Sequence, residues 1–264
     1  MNNITFYWIN IDNSISRRRF MEKQFEIHNI NNKRISAITP DKLNDILNDK
    51  SPYFCGNDCC KHNNCNDCKF EYSCSASHLE AIKEGYKSGD DYFIICEDDI
   101  YFPFKIDYNE LIKSLPQDWD IFQMMVLDEE ANINLYNNYY KKDINYIKFN
   151  QYLRLFSTGM YLINRKGAKK LLKLFIDNKN NKYELTSKTI NRQADFLLYM
   201  NTNTYTSTFP YCHPNLNFIS EIHPNHYYLH LSSIKKILEN LKDSNNKNKY
   251  IIDYYPYEGL NGVV

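Results

Sequence analysis

No stretch of this 264-residue sequence approaches the roughly 20 consecutive apolar residues that a membrane-crossing helix requires. The amino terminus, MNNITFYWINI, lacks the basic n-region and small-residue cleavage site of a secretion signal and reads as a first strand. Charge of one sign is missing too, because 32 basic residues balance 32 acidic ones. With no net field, neither nucleic acid nor an anionic membrane is indicated as a partner. These absences predict a soluble protein, cytoplasmic or otherwise intracellular. Glycine and proline are scarce, at 7 and 8 residues, and neither a linker-like stretch nor an internal repeat interrupts the chain. In their place stand Asn, Lys, Ile and Tyr, a bias expected of a virus or another organism with an AT-rich genome. The 43% hydrophobic and 24% charged content is that of a globular protein.

What is present alternates strand and helix. ITFYWINI (4–11) has the β-branched and aromatic content of a buried strand, and DNSISRRRFMEKQFEIHNI opens with capping residues and continues at helical spacing. KRISAI supplies a second strand, so the order is that of an α/β domain with a parallel sheet. SASHLEAIKEGYKSG predicts a helix stopped by Gly89, and DYFIIC a strand after it. LIKSLPQDWDIFQMMVL gives a helix, a turn at Pro116 and a strand from Asp120 to Leu127; residues 128–150 read as a mobile surface excursion. TGMYLINRKGAKKLLKLF is a strand passing into an amphipathic helix, and another helix starts near Ala194. The expected organisation is one main domain over 1–235 with a Cys-rich insertion at 51–70, then a C-terminal helix and tail over 236–264.

The strand DYFIIC ends in three consecutive carboxylates, Glu97, Asp98 and Asp99. Ligands of open α/β sheets bind outside the carboxyl ends of the strands, which is where this triplet falls. A hard divalent cation such as Mg²⁺ or Mn²⁺ takes one or two such carboxylates together with substrate phosphates. The alternative is a solvated acidic strand end.

The triplet has company. INIDNSISRRR, EYSCSASHLEAIK, FIICEDDI, LPQDWDIF, GMYLINRKGAKKLL, ADFLL and FPYCHPNLNFISEI follow one another over about residues 4–222. In this order they resemble the blocks of glycosyltransferase family 25, the lipopolysaccharide and procollagen galactosyltransferase group. The chain departs from that pattern at Phe70 and Ser73, where the family has Gly, and at Asn217 and Glu221.

The resemblance implies a GT-A fold, a Rossmann-like mixed sheet flanked by helices. It also implies a UDP-sugar donor, a glycan or protein acceptor, and transfer of a hexose, galactose or a relative, with inversion. It makes Asp99 the main ligand of Mn²⁺ or Mg²⁺, with Asp98 beside it, and gives Asp98 and Glu97 the ribose and the loop. A late histidine, His223, His226 or His230, would close the metal shell. Asn10 and Arg17 would contact the nucleotide, Arg17 by its fork geometry. Ser77 and His78 form either a polar network beneath the donor or a direct donor contact, with Glu71 nearby. Asp195 matches the late acid and is expected to act as the base, although capping a helix is an equally ordinary task for Asp. Trp119 reads as either a sugar-stacking or a core residue. The rival to an enzyme is a catalytically silent relative that binds glycans or serves as an adaptor.

Cys55, Cys59, Cys60, Cys65 and Cys68, with His62, crowd the insertion. Cys65-x-x-Cys68 has the bite of a zinc half-site, so structural Zn²⁺, disulfides and free thiols all remain open. Cys74 falls on the family's own cysteine and is expected to be a small buried hydrophobe.

Overall fold

The computed structural model describes residues 4–48, 66–177, 179–185, 193–215, 217–218, 227–242 and 248–254. The first strand, β1 (Thr5–Asn10), is buried from Phe6 onward. Helix α1 (Ile15–Ile27) follows, and its buried residues Arg17, Phe20, Met21, Gln24 and Phe25 recur at steps of three and four, the stripe of a helix lying on a sheet. β2 (Asn32–Ser36) then pairs in parallel with β1. A short α2 (Leu43–Ile46) precedes residues 49–65, which lie outside the described residues together with Cys55, Cys59, Cys60, His62 and Cys65.

Helix α3 (Asn66–Ser88) starts well before the expected Ser75, so the end of the supposed loop insertion, including Cys68, is helical. The helix stops at Gly89, whose φ of +91° is the left-handed conformation that ends helices. Gly85 is required by packing, since a Cβ there would meet the Phe93 ring at 2.4 Å. β3 (Tyr92–Glu97) follows.

Beyond it come β4 (Ile100–Tyr101), β5 (Phe104–Ile106), α4 (Tyr108–Ser114), β6 (Ile121–Gln123) and α5 (Glu129–Asn134). β7 (Tyr146–Lys148), β8 (Met160–Asn164), α6 (Arg165–Phe175), β9 (Ile176–Asp177) and β10 (Lys182–Tyr183) continue the chain. α7 (Ala194–Tyr199), β11 (Thr204–Ser207), β12 (His213–Pro214), α8 (Tyr227–Lys242) and β13 (Ile251–Tyr254) complete it. Three expectations need correction. The strand drawn from Asp120 to Leu127 holds only three paired residues, and residues 128–150 are structured rather than a loose excursion. Asp128 caps α5 by accepting from the Ala131 N–H at 2.9 Å, Ala131 and Leu135 bury one face, and β7 joins the main sheet. The C-terminal helix starts at Tyr227, so residue 235 lies inside it.

Seven strands form the main sheet in the order β2-β1-β3-β8-β6-β11-β7. β1, β2, β3, β6 and β11 run one way; β8, between β3 and β6, and β7 at the edge run the other. This is the mixed α/β sheet of a GT-A-like fold. Both faces are covered, which explains the unbroken apolar runs in β1 and β3. Phe6, Trp8, Ile94 and Cys96 face one core with α1, whereas Tyr7, Ile9, Phe93 and Ile95 face the other with α3 and α6. Burying each such side chain contributes about 1.5–3 kcal/mol. Among the described residues no helix is long and apolar enough to cross a membrane.

Candidate active site

The carboxyl ends of β1, β2 and β3 and the amino end of the reversed β8 meet along one edge of the sheet. Glu97 ends β3, and Asp98 and Asp99 turn away from it. Asp98 is held at both oxygens: Arg17 Nη1 donates to its Oδ1 at 2.9 Å and Asn10 Nδ2 to its Oδ2 at 2.7 Å. Asn10 is itself oriented by Arg34 Nε, which donates to its Oδ1 at 2.9 Å from β2. Arg17 also reaches Asp99 Oδ2 at 3.3 Å, and its guanidinium lies 5.3 Å from the centre of the Phe218 ring. Asn10 is therefore buried behind Asp98, and Arg17 is the internal counter-charge of the triplet.

One turn pair further along the same stripe of α1, Gln24 does the complementary job for the backbone. Its Nε2 donates to Ile100 O at 2.8 Å and its Oε1 accepts from Phe102 N at 3.0 Å. Helix α1 thus clamps the segment just past the triplet through two buried polar residues on an otherwise apolar face.

Three carboxylates with one guanidinium leave excess negative charge. Burial, opposed by Arg17 and reinforced by Glu97 and Asp98, pushes the Asp99 carboxyl up to about 7. Burial likewise raises Asp98 despite its pairing with Arg17 and Asn10. Glu97 goes the other way: burial alone would raise it, but His78, the Thr158 hydroxyl at 2.9 Å and the field of Arg17 outweigh that and lower it. Asp99 also borders a cavity of about 80 Å³ shared with His230 on α8. A carboxylate held above its ordinary range by burial and then by like charges, facing a cavity that an imidazole also lines, fits a divalent cation. His223 and His226 lie outside the described residues.

Two larger cavities flank the triplet. One, of about 160 Å³, lies beside β1 and is lined by Ile9, Ile11, Ile38, Pro40, Arg17 and all three acids among others. Ser77 forms part of its wall, donating to Ser73 O at 2.7 Å and accepting from Ile38 N at 2.8 Å, so its hydroxyl bridges α3 to the chain after β2. The other, of about 630 Å³, is lined by Glu71, Cys74, Asp128, Arg154, Thr158 and Asp195 among others. Glu97 borders all three cavities.

Asp195 lies within the first turn of α7, not at its cap, which is Gln193. Its Oδ1 accepts from Phe196 N at 3.0 Å, and burial, only partly offset by backbone N–H groups, raises its carboxyl above the ordinary range. His78 is fully buried; its Nδ1 is 3.1 Å from the Tyr161 hydroxyl and its Nε2 is 3.5 Å from Glu97 Oε1. Cys74, His78 and Glu97 bring one ligand atom each to within 4.8 Å of one another, a grouping of metal-ligand types among the described residues. Trp119 is core: it is buried and stacks at 5.9 Å on Tyr92, at the opposite end of β3 from the triplet. Gln24, Arg34, Thr158 and Tyr161 escaped the sequence reading. The first two carry a legible signal, polar residues at core spacing or in a strand, but the last two reach the site only through the antiparallel placement of β8.

Among solved structures, the chain is similar to a glycosyltransferase involved in the glycosylation of the major capsid of PBCV-1. The identity is 11% over 65% of each chain, with a TM-score of 0.30. Mouse xyloside xylosyltransferase 1 in its apo form is similar at 11% identity over 75% of this chain and 80% of that one, with a TM-score of 0.33. Both scores are low, and neither likeness bears on the chemistry. No curated protein matches the chain. Residues 3–185 match glycosyltransferase family 25 (LPS biosynthesis protein), and with well over half of its length so matched the chain belongs to that family.

Proposed function

We propose that the protein is a metal-dependent, inverting glycosyltransferase that moves a hexose, galactose or a relative, from a UDP-sugar to a hydroxyl of a glycan or protein. The observation that carries this is the position of Glu97, on the wall common to the slot beside β1 and to the wide cavity holding Asp195. The slot, apolar on the side of Ile9, Ile11, Ile38 and Pro40 and charged at the triplet, suits a nucleotide base at one end and a diphosphate at the other. The wide cavity has room for an acceptor.

In the transfer, the acceptor oxygen forms a bond to the anomeric carbon as the bond from that carbon to the diphosphate oxygen breaks. Asp195 takes the hydroxyl proton, and the electron pair of the broken bond leaves with the nucleoside diphosphate. A carboxylate with a raised pKa is a stronger base, and the burial of Asp195 works in that direction. Asp99, with His230 across their common cavity, would hold Mn²⁺ or Mg²⁺, which when bound neutralises charge on the departing diphosphate. Asn10 and Arg17 hold Asp98 so that the triplet keeps its shape while donor binds and product leaves. The test is to incubate the protein with a panel of nucleotide sugars and Mn²⁺ and to measure released nucleoside diphosphate. Release with a UDP-hexose, dependent on the cation, is expected; binding of glycans without release from any donor would make the protein a silent adaptor.

A further inference from the structure

The geometry points to a second metal site of different character, in which Cys74 Sγ, His78 Nε2 and a Glu97 carboxylate oxygen bind a soft transition-metal ion such as Zn²⁺. It does not rest on the reaction proposed above. Cys74 and His78 stand four residues apart on α3, so they share one face of the helix, and that face meets the end of β3 at Glu97. The three ligand atoms already lie within 4.8 Å of one another. Zinc bonds of about 2.0–2.3 Å in a tetrahedron put ligand atoms roughly 3.3–3.8 Å apart, and His78 Nε2 and Glu97 Oε1 already stand 3.5 Å apart.

The second observation is the imidazole. His78 is 0% exposed, and its Nε2 has no hydrogen-bond partner. At 3.5 Å its contact with Glu97 Oε1 is a long ion pair rather than a well-formed hydrogen bond, and buried polar atoms are rarely left so loosely paired. Its other nitrogen is engaged by the Tyr161 hydroxyl at 3.1 Å, the outer-shell partner that fixes the ring of a metal-bound histidine. Tyr161 in turn is fully buried.

Thiolate and imidazole ligands select Zn²⁺ over Mg²⁺ or Mn²⁺, whereas carboxylate-rich Asp99 favours the hard ions. The two positions therefore discriminate by chemistry although Glu97 adjoins both. Binding displaces one proton from the Cys74 thiol to solvent, leaving thiolate, imidazole and carboxylate on the metal. Cys74 and Glu97 line both flanking cavities, which gives the ion a path in.

Cobalt substitution of the full chain, read as the near-ultraviolet thiolate-to-cobalt charge-transfer band, tests this with Cys74→Ser and His78→Asn as variants. Because the insertion cysteines also offer thiolates, the decisive quantity is the difference: each variant should lose one cobalt equivalent and its share of the band, and excess Mn²⁺ should not displace it. Anomalous diffraction at the zinc edge from wild-type crystals grown with Zn²⁺ locates the ion without any variant. A peak among Cys74, His78 and Glu97 is expected. No peak there, or an unchanged cobalt stoichiometry in folded Cys74→Ser, would overturn the site.

Discussion

Replacing Asp99 by Asn should make the metal-free protein more stable at neutral pH. The carboxyl is pushed up to about 7 against an ordinary 3.8, by burial first and by Glu97 and Asp98 after it. Because the folded state holds this proton more tightly than the unfolded chain, the stability it contributes is complete below about pH 4 and is lost as the pH rises through about 7. The separation of the two values corresponds to at most about 4 kcal/mol. Asn cannot ionise, keeps the shape, and remains free of the repulsion. Urea unfolding of both proteins in chelator should give equal stability near pH 4, with the variant pulling ahead by about 1–4 kcal/mol above neutrality. Groups remote from the triplet titrate alike in both chains, so the difference reports Asp99 together with the Glu97 and Asp98 carboxylates coupled to it. Adding Mn²⁺ should raise the wild type toward the variant and leave the variant unmoved. Superimposable pH profiles in chelator, or equal stabilisation of both proteins by Mn²⁺, would refute the reasoning.

Asp195→Asn keeps the shape of the side chain and removes the proposed proton acceptor, so transfer should fall by about 10²-fold or more while donor affinity, followed by calorimetry, holds. Arg17→Ala leaves the buried Asp98 carboxylate without its cation and should cost about 3–5 kcal/mol in chemical denaturation; a loss under about 1 kcal/mol would mean the pair is solvated. Gln24→Ala strands Ile100 O and Phe102 N, and a loss of about 2–4 kcal/mol is expected, with hydrogen exchange accelerated at Phe102.

Sequence made the triplet legible because it interrupts an apolar run, and β1, β3 and α6 legible because each is long and periodic. Residues 128–150 misled through composition: Asn and Tyr suggest a loop, yet Asp128 caps a helix whose Ala131 and Leu135 share one face. The start of α3 was obscured by the cysteine cluster. Thr158 and Tyr161 were illegible in principle, since nothing local says that β8 enters the sheet reversed between β3 and β6. Asn10 and Arg17 stand out in the sequence as candidate nucleotide contacts, but their pairing with Asp98 cannot be read from residues 88 and 81 positions away.

The proposed assignment of the donor to the slot and the acceptor to the wide cavity has an evolutionary consequence. The slot beside β1 is walled by residues between Ile9 and Asp99, whereas the wide cavity draws chiefly on residues from Leu127 onward. Glu71, Cys74 and Glu97 are the members of the earlier segment that reach into it. Recombination near residue 103, between the short strands β4 and β5, would therefore exchange one wall almost intact while leaving the other in place. Chimaeras between relatives joined there should inherit donor preference from the amino-terminal parent and acceptor preference from the carboxy-terminal parent, so a lineage can acquire new recipients for its sugar without rebuilding the machinery that holds the nucleotide.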